Sequence, residues 1–124
     1  MNTLILQLWQ TSSEDADRAA APFLLALTAK AMDMHVEVHA LGASVELFVT
    51  QDQRRHRPVS PLMRPLSAYI QEALEAGVEV HACSTALRDR HLEPTDLLEG
   101  CQHILGMVSM LERATAPDTT VLTY

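Results

Sequence analysis

A chain of 124 residues is sized for one domain, able to bury roughly two thirds of its unfolded surface without disulfides or a structural metal. Although 48% of its residues are apolar, only one Trp, two Tyr and two Phe are present, so the core has to be aliphatic. Nine basic residues stand against sixteen acidic ones, a formal charge of -7, which argues against broad binding to nucleic acid or to an anionic membrane.

The chain opens on Met1 to Ile5 with no basic segment ahead of its apolar residues, so no signal peptide is read. No apolar run approaches ~18 residues, and no membrane span is expected. The expectation is a cytoplasmic protein with reduced thiols, in which two cysteines serve as core fillers or as chemistry rather than as a disulfide.

Thr3 to Trp9 is an apolar run fit for a strand buried on both faces. Gln10 to Ser13 is a polar turn in which Ser12 or Ser13 can cap a helix, with Glu14, Asp15 and Asp17 suiting its first turn. Asp15 to Met32 is rich in Ala and Leu at helical spacing, with Pro22 predicting a kink or a late start. His35 to Leu41 reads as the second strand. Gly42 to Val49 reads as a short helix or turn with Val45, Phe48 and Val49 inward. Gln51 to Pro61 is a polar loop with three Arg and two Pro, the best candidate for a mobile flap.

Leu62 to Ala76 is expected to be helical, with Leu62, Leu66, Tyr69, Ile70, Ala73 and Leu74 on one stripe. Val78 to Ala82 is the third strand. A short helix or turn comes next over Thr85 to His91, and Glu93 opens another, with Pro94 at its first position and Gly100 at its close. Gln102 to Leu105 is a short fourth strand. Gly106 to Ala114 is a helix with Met107, Met110 and Leu111 inward, and Thr119 to Thr123 a last β-branched strand. This alternation predicts a parallel sheet of about five strands with helices on both faces, where function gathers beyond the carboxyl ends of the strands.

One stretch organises the rest. In Gly77 to Thr85 side chains alternate, so Val78, Val80 and Ala82 share one face and Glu79, His81 and Cys83 the other. Gly77 closes the preceding helix. Ser84 and Thr85 are N-cap types, so the chain turns helical near Ala86. A thiol there faces unpaired N–H groups and a helix dipole, both of which favour the thiolate. Cys83 is therefore read as a reactive sulfur, against the plain alternative of a buried packing cysteine.

The same stretch resembles the cysteine segment of the DsrE/DsrF/TusD-like sulfur-relay proteins. The apolar first strand, the Arg18 to Phe23 helix with its Pro22, the Asp96 to Gly100 run and the Val121 to Tyr124 strand fit the same pattern over nearly the whole chain. The resemblance implies a single domain over residues 1–124, a flavodoxin-like three-layer α/β sandwich that oligomerises as trimers or hexamers. It implies a sulfurtransferase-type relay protein in which one cysteine carries persulfide or related sulfane sulfur and exchanges it with a small TusA-like carrier. Only Cys83 matches the family's cysteine.

Exchange of this kind is thiolate attack on a donor's terminal sulfur, then attack by an acceptor thiolate on the persulfide formed. It needs no metal and no cofactor. Backbone N–H groups near Ser84 and Thr85, and the charge of Arg88, are the candidates for holding the anionic adduct. His81 shares the face of Cys83, where an imidazolium would favour thiolate, although a surface or interface histidine is the simpler reading. His56 and His91 are weaker candidates; Trp9 and Gln10 end the first strand and can line the same crevice.

The texts His81-Ala82-Cys83 and Cys101-Gln102-His103 invite a zinc site, but a parallel topology puts the two cysteines at opposite strand ends, so no metal is expected there and Cys101 reads as a small core or interface residue. Met32, Met34, Met63, Met107 and Met110 read as packing. Arg54, Arg55, Arg57, Arg64, Arg88 and Arg90 are either solvated loops or a local positive surface. No phosphate-loop or serine-elbow spacing occurs. Two alternatives stand beside the relay: a non-catalytic interaction subunit in which Cys83 only packs, and a small-anion sensor with the Arg-rich loop as lid.

Overall fold

The computed structural model describes residues 2–59 and 64–124. Five strands form one parallel sheet: β1 (Thr3–Leu8), β2 (His35–Ala40), β5 (Glu79–Cys83), β6 (His103–Leu105) and β7 (Thr119–Thr123), in the order β6-β5-β2-β1-β7. A separate two-stranded antiparallel ribbon joins β3 (Pro58–Val59) to β4 (Arg64–Pro65). Four α-helices connect the sheet: α1 (Ala16–Ala31), α2 (Leu66–Glu75), α3 (Ser84–Asp89) and α4 (Met107–Ala114).

The connections from β1 to β2, β5 and β6 all advance the same way across the sheet, whereas β6 to β7 returns past β1. Right-handed crossovers then place α1, α2 and α3 on one face and α4 alone on the other. Side chains bear this out. Leu4, Leu6, Leu8, Val36, Val38, Val80 and Ala82 pack with Phe23, Ala26, Leu66 and Ile70 in the main core. The alternate residues look toward α4, whose Arg113 reaches Glu37 and whose Met107 reaches Cys83. The parallel register sets Glu37 beside Glu79 and His39 beside His81, so this second face is polar along its middle strands.

Several expectations are corrected. The helix α1 runs through Pro22 from a start at Ala16, so there is no late start. The carbonyl that Pro22 leaves unpaired is that of Arg18, on an exposed turn. Asp15 caps this helix, accepting from Arg18 N–H at 3.4 Å, while Ser12 caps the short turn before it. The helix α2 begins at Leu66, directly after Pro65; Leu62 and Met63 lie outside the described residues. After Glu93 there is only a single 3-10 turn, Pro94–Asp96, because the chain must extend again to reach β6.

The segment proposed as a flap is tied down in its described part. Arg54 clamps Asp52 through Nε and Nη2 at 3.0 and 2.8 Å and reaches Glu14 at 3.0 Å. Hydrogen bonds from Arg54 hold the Asp52 carboxyl below the usual carboxylate range. Arg55 is buried, donating to the carbonyls of Val49 and Thr50. Arg64 pairs with Glu72 and lies over the Tyr69 ring, and Arg90 pairs with Glu46. Most of the presumed positive surface is therefore spent on internal contacts.

Candidate functional site

The strand β5 runs into α3 with no intervening turn. Cys83 itself occupies the cap position, with extended backbone at φ −72° and ψ 124°, and Ser84 is the first helical residue. Ser84 and Thr85 thus lie within the first turn rather than ahead of it. Alternation along β5 sends the thiol to the α4 face, where Cys83 Sγ lies 3.6 Å from Met107 Sδ. Cys83 is 2% exposed, whereas Met107, which covers it, is 46% exposed.

The other candidates do not converge on this sulfur. Ser84 and Arg88 line a groove of about 410 Å³ with Leu87, His91, Pro94 and Ile104. Ile104 neighbours Ala82 in the sheet, so this groove opens on the α3 side, across from the thiol. Trp9, expected as core or crevice, is 41% exposed and shares a pocket with Gln7, Leu41, Met107, Val108 and Leu111. Met107 of that pocket also touches Cys83. Leu111 is not inward as the spacing suggested, and Met107 is only half so, its sulfur on Cys83 while the residue stays 46% exposed; of the α4 methionines only Met110 is buried. An eight-residue helix over a partly polar sheet face buries one apolar position fully, rests Met107 on Cys83 and leaves Val108 and Leu111 outward.

Both cysteines are free. Cys101 is wholly buried, and burial pushes its thiol up to about 12, far from the thiolate. His81 shares the α4 face with Cys83, as the alternation predicts, but it is 4% exposed rather than a surface histidine. Burial pushes its pKa below the ordinary histidine value, against the pull of Glu37, so the neutral ring prevails and gives no imidazolium to Cys83.

What the sequence reading missed is the polar row beneath. His39 Nε2 lies 2.9 Å from Glu37 Oε1, and His35 Nε2 lies 2.9 Å from Glu37 Oε2 and from Glu79 Oε2. Arg113 Nη1 reaches Glu37 Oε2 at 2.9 Å. The rings of His39, His81 and His103 succeed one another at 5.6 and 5.8 Å. Burial raises the Glu37 carboxyl, but hydrogen bonds from His39 and His35 and the charge of Arg113 outweigh it and hold the group ionised. The available signal was His35-x-Glu37-x-His39 beside Glu79-x-His81, polar residues at period two on strands expected to be buried on both faces.

A parallel five-stranded α/β subunit with a lone thiol where its third sheet strand meets a helix is the class of protein that these features define. The DsrE/DsrF-like family model matches residues 5–121, and the chain belongs to that family, one of sulfur-relay type. Among solved structures it is similar to MTH1491, a protein of unknown function from Methanobacterium thermoautotrophicum, with a TM-score of 0.74, 18% identity and full coverage of both chains. It is also similar to the ychN protein of E. coli, with a TM-score of 0.65 and 17% identity over 100% of this chain and 99% of that one. At such identities the likeness establishes the fold. No curated protein sequence matches the chain. Among the described residues no helix is long and apolar enough to cross a membrane.

Proposed function

We propose that this protein is a cytoplasmic sulfur carrier or sulfurtransferase that holds sulfane sulfur on Cys83 and exchanges it with a TusA-like carrier protein. The observation that carries the reading is the placement of the family's matching cysteine at the carboxyl end of β5, with the side chain of Met107 over it. In the proposed step the Cys83 thiolate attacks the terminal sulfur of a donor persulfide. A new S–S bond forms at Cys83, the donor's S–S bond breaks, and the donor leaves as a thiolate with the electron pair. The acceptor's thiolate then repeats the exchange in the other direction.

Met107 is flexible and half exposed, so rotation of one unbranched side chain is the smallest motion that uncovers the sulfur. The N–H groups of Ser84 and Thr85 are the donors proposed for the adduct; Arg88 lines the groove on the opposite side of the sheet. Exposed Trp9, Met107, Val108 and Leu111 support assembly into a homo-oligomer, a trimer or hexamer in this reading. The test is intact mass spectrometry after mixing with a persulfidated TusA-like carrier: added sulfur mass on the wild type, none on Cys83→Ser. No added mass on either protein defeats the proposal.

The 2% exposure of Cys83 favours a second reading, a non-catalytic interaction subunit in which the thiol only packs. Thiol titration of the folded protein separates the two, since a packing cysteine reacts only as fast as the chain unfolds.

A further inference from the structure

We propose that the polar row on the α4 face is a divalent metal site of the zinc class, with His35, Glu37, Glu79 and His81 as ligands. It lies apart from the thiol: Glu79 and Cys83 stand at opposite ends of β5, roughly 13 Å apart at the strand rise. The inference is independent of the sulfur-relay reading.

Three observations carry it. First, ligand atoms of His35, Glu37 and Glu79 all lie within 4.8 Å of one another. Atoms bound about 2.1 Å from one ion are separated by about 3.0 Å along an octahedral edge and about 3.4 Å along a tetrahedral edge. His35 Nε2 is 2.9 Å from Glu37 Oε2 and 2.9 Å from Glu79 Oε2. His81 Nε2 is 3.7 Å from Glu37 Oε1 and 3.7 Å from Glu79 Oε1. His35 thus meets the Oε2 atoms of the two carboxylates, and His81 faces their Oε1 atoms from the other side.

Second, His81 is 4% exposed, and neither of its ring nitrogens has a hydrogen-bond partner among the described residues. A buried polar atom left unpaired is costly, and this one is aimed between two carboxylates at a distance too long for a hydrogen bond. An ion between them satisfies the ring through its lone pair.

Third, two carboxylates of neighbouring strands are set side by side by the register Glu37↔Glu79 and share the one Nε2 of His35. One ring N–H serves two anionic acceptors poorly, whereas a dication bridges them. His39 and Arg113 grip Glu37 from outside, as hydrogen-bonding groups commonly orient a ligating carboxylate. Two imidazoles with two carboxylates is a donor set that suits zinc and its neighbours better than calcium or copper(I).

The experiment is calorimetric titration of the metal-free full chain with Zn²⁺, with Co²⁺ absorption reporting the donor set. One equivalent per chain is expected, with a cobalt spectrum lacking a thiolate charge-transfer band. His35→Gln and Glu79→Gln, both at partly exposed positions and checked for folding by circular dichroism, should each weaken binding by more than ~100-fold, beyond the 10–100-fold cost of losing an outer partner. Cys83→Ser and Cys101→Ser should bind as the wild type does. The proposal fails if the His35→Gln/Glu79→Gln double variant binds Zn²⁺ as tightly as the wild type, if the wild type takes up none, or if either cysteine variant loses the site.

Discussion

Acidification from pH 7.5 to 5.5 is expected to cost the metal-free fold up to about 3 kcal/mol through two histidines. His39 and His81 are 0% and 4% exposed. Burial pushes both below the ordinary value, opposed by Glu37 and aided by Arg113. In the unfolded chain each ring titrates near 6.5. Between that value and the depressed folded one, the unfolded state binds more protons. The contribution is therefore complete above pH 6.5 and is lost as the pH falls. A ring that stays neutral throughout while its unfolded counterpart goes from about one-tenth to about nine-tenths protonated costs between 1 and 2 kcal/mol, so two cost at most about 3. Glu37, held below 4.5, begins its own loss only at lower pH. Urea denaturation with chelator present measures this. At ordinary m-values of roughly 1–3 kcal/mol/M the midpoint should drop by roughly 1–3 M, and His39→Asn should halve the drop. The reasoning is refuted if the midpoint is flat over this range or rises on acidification. A rise would mean that His81 sits between Glu37 and Glu79 as an imidazolium.

Three further outcomes test the packing and the thiols. Phe23→Ala should destabilise by about 3–5 kcal/mol in the same assay, because Phe23 is fully buried edge-on to Phe48 at 6.1 Å and its neighbours cannot all collapse into the void. Arg55→Met should cost about 2–4 kcal/mol, since it leaves the Val49 and Thr50 carbonyls without their guanidinium donors. In native alkylation at pH 8, read by mass spectrometry, Cys101 should stay unmodified because burial holds its thiol near 12, and Met107→Ala should speed modification of Cys83 by at least ~10-fold. Equal rates in Met107→Ala and the wild type would show that something other than Met107 guards the sulfur.

Much of the fold was legible because it rests on local periodicity. The period-two alternation of Val78 to Cys83 assigned every side chain of β5 to its observed face, and the strand–helix alternation led to the parallel sheet. The failures share a cause in tertiary context. Pro22 reads as a break only if its effect on the helix must fall in the core, and here it falls on an exposed turn. Leu111 reads as inward because its spacing is helical, yet the sheet face beneath α4 is polar along its middle strands and leaves it exposed. The cover over Cys83 depends on where α4 docks, which no local pattern records. The His35-Glu37-Glu79-His81 group depends on the register between β2 and β5, which sets residues more than forty positions apart side by side.

The seating of β7 against β1 has a consequence for biogenesis. Thr119 to Thr123 pair along one edge of Thr3 to Gln7, and the Tyr124 carbonyl accepts from Trp9 N–H at 2.7 Å. During vectorial synthesis the apolar β1 therefore leaves the ribosome before the other strands of its sheet and keeps an open hydrogen-bonding edge until β7, the last of them, has emerged. For that interval the nascent protein carries a strand ready to pair with a neighbour, and chaperone demand should fall most heavily on that one edge.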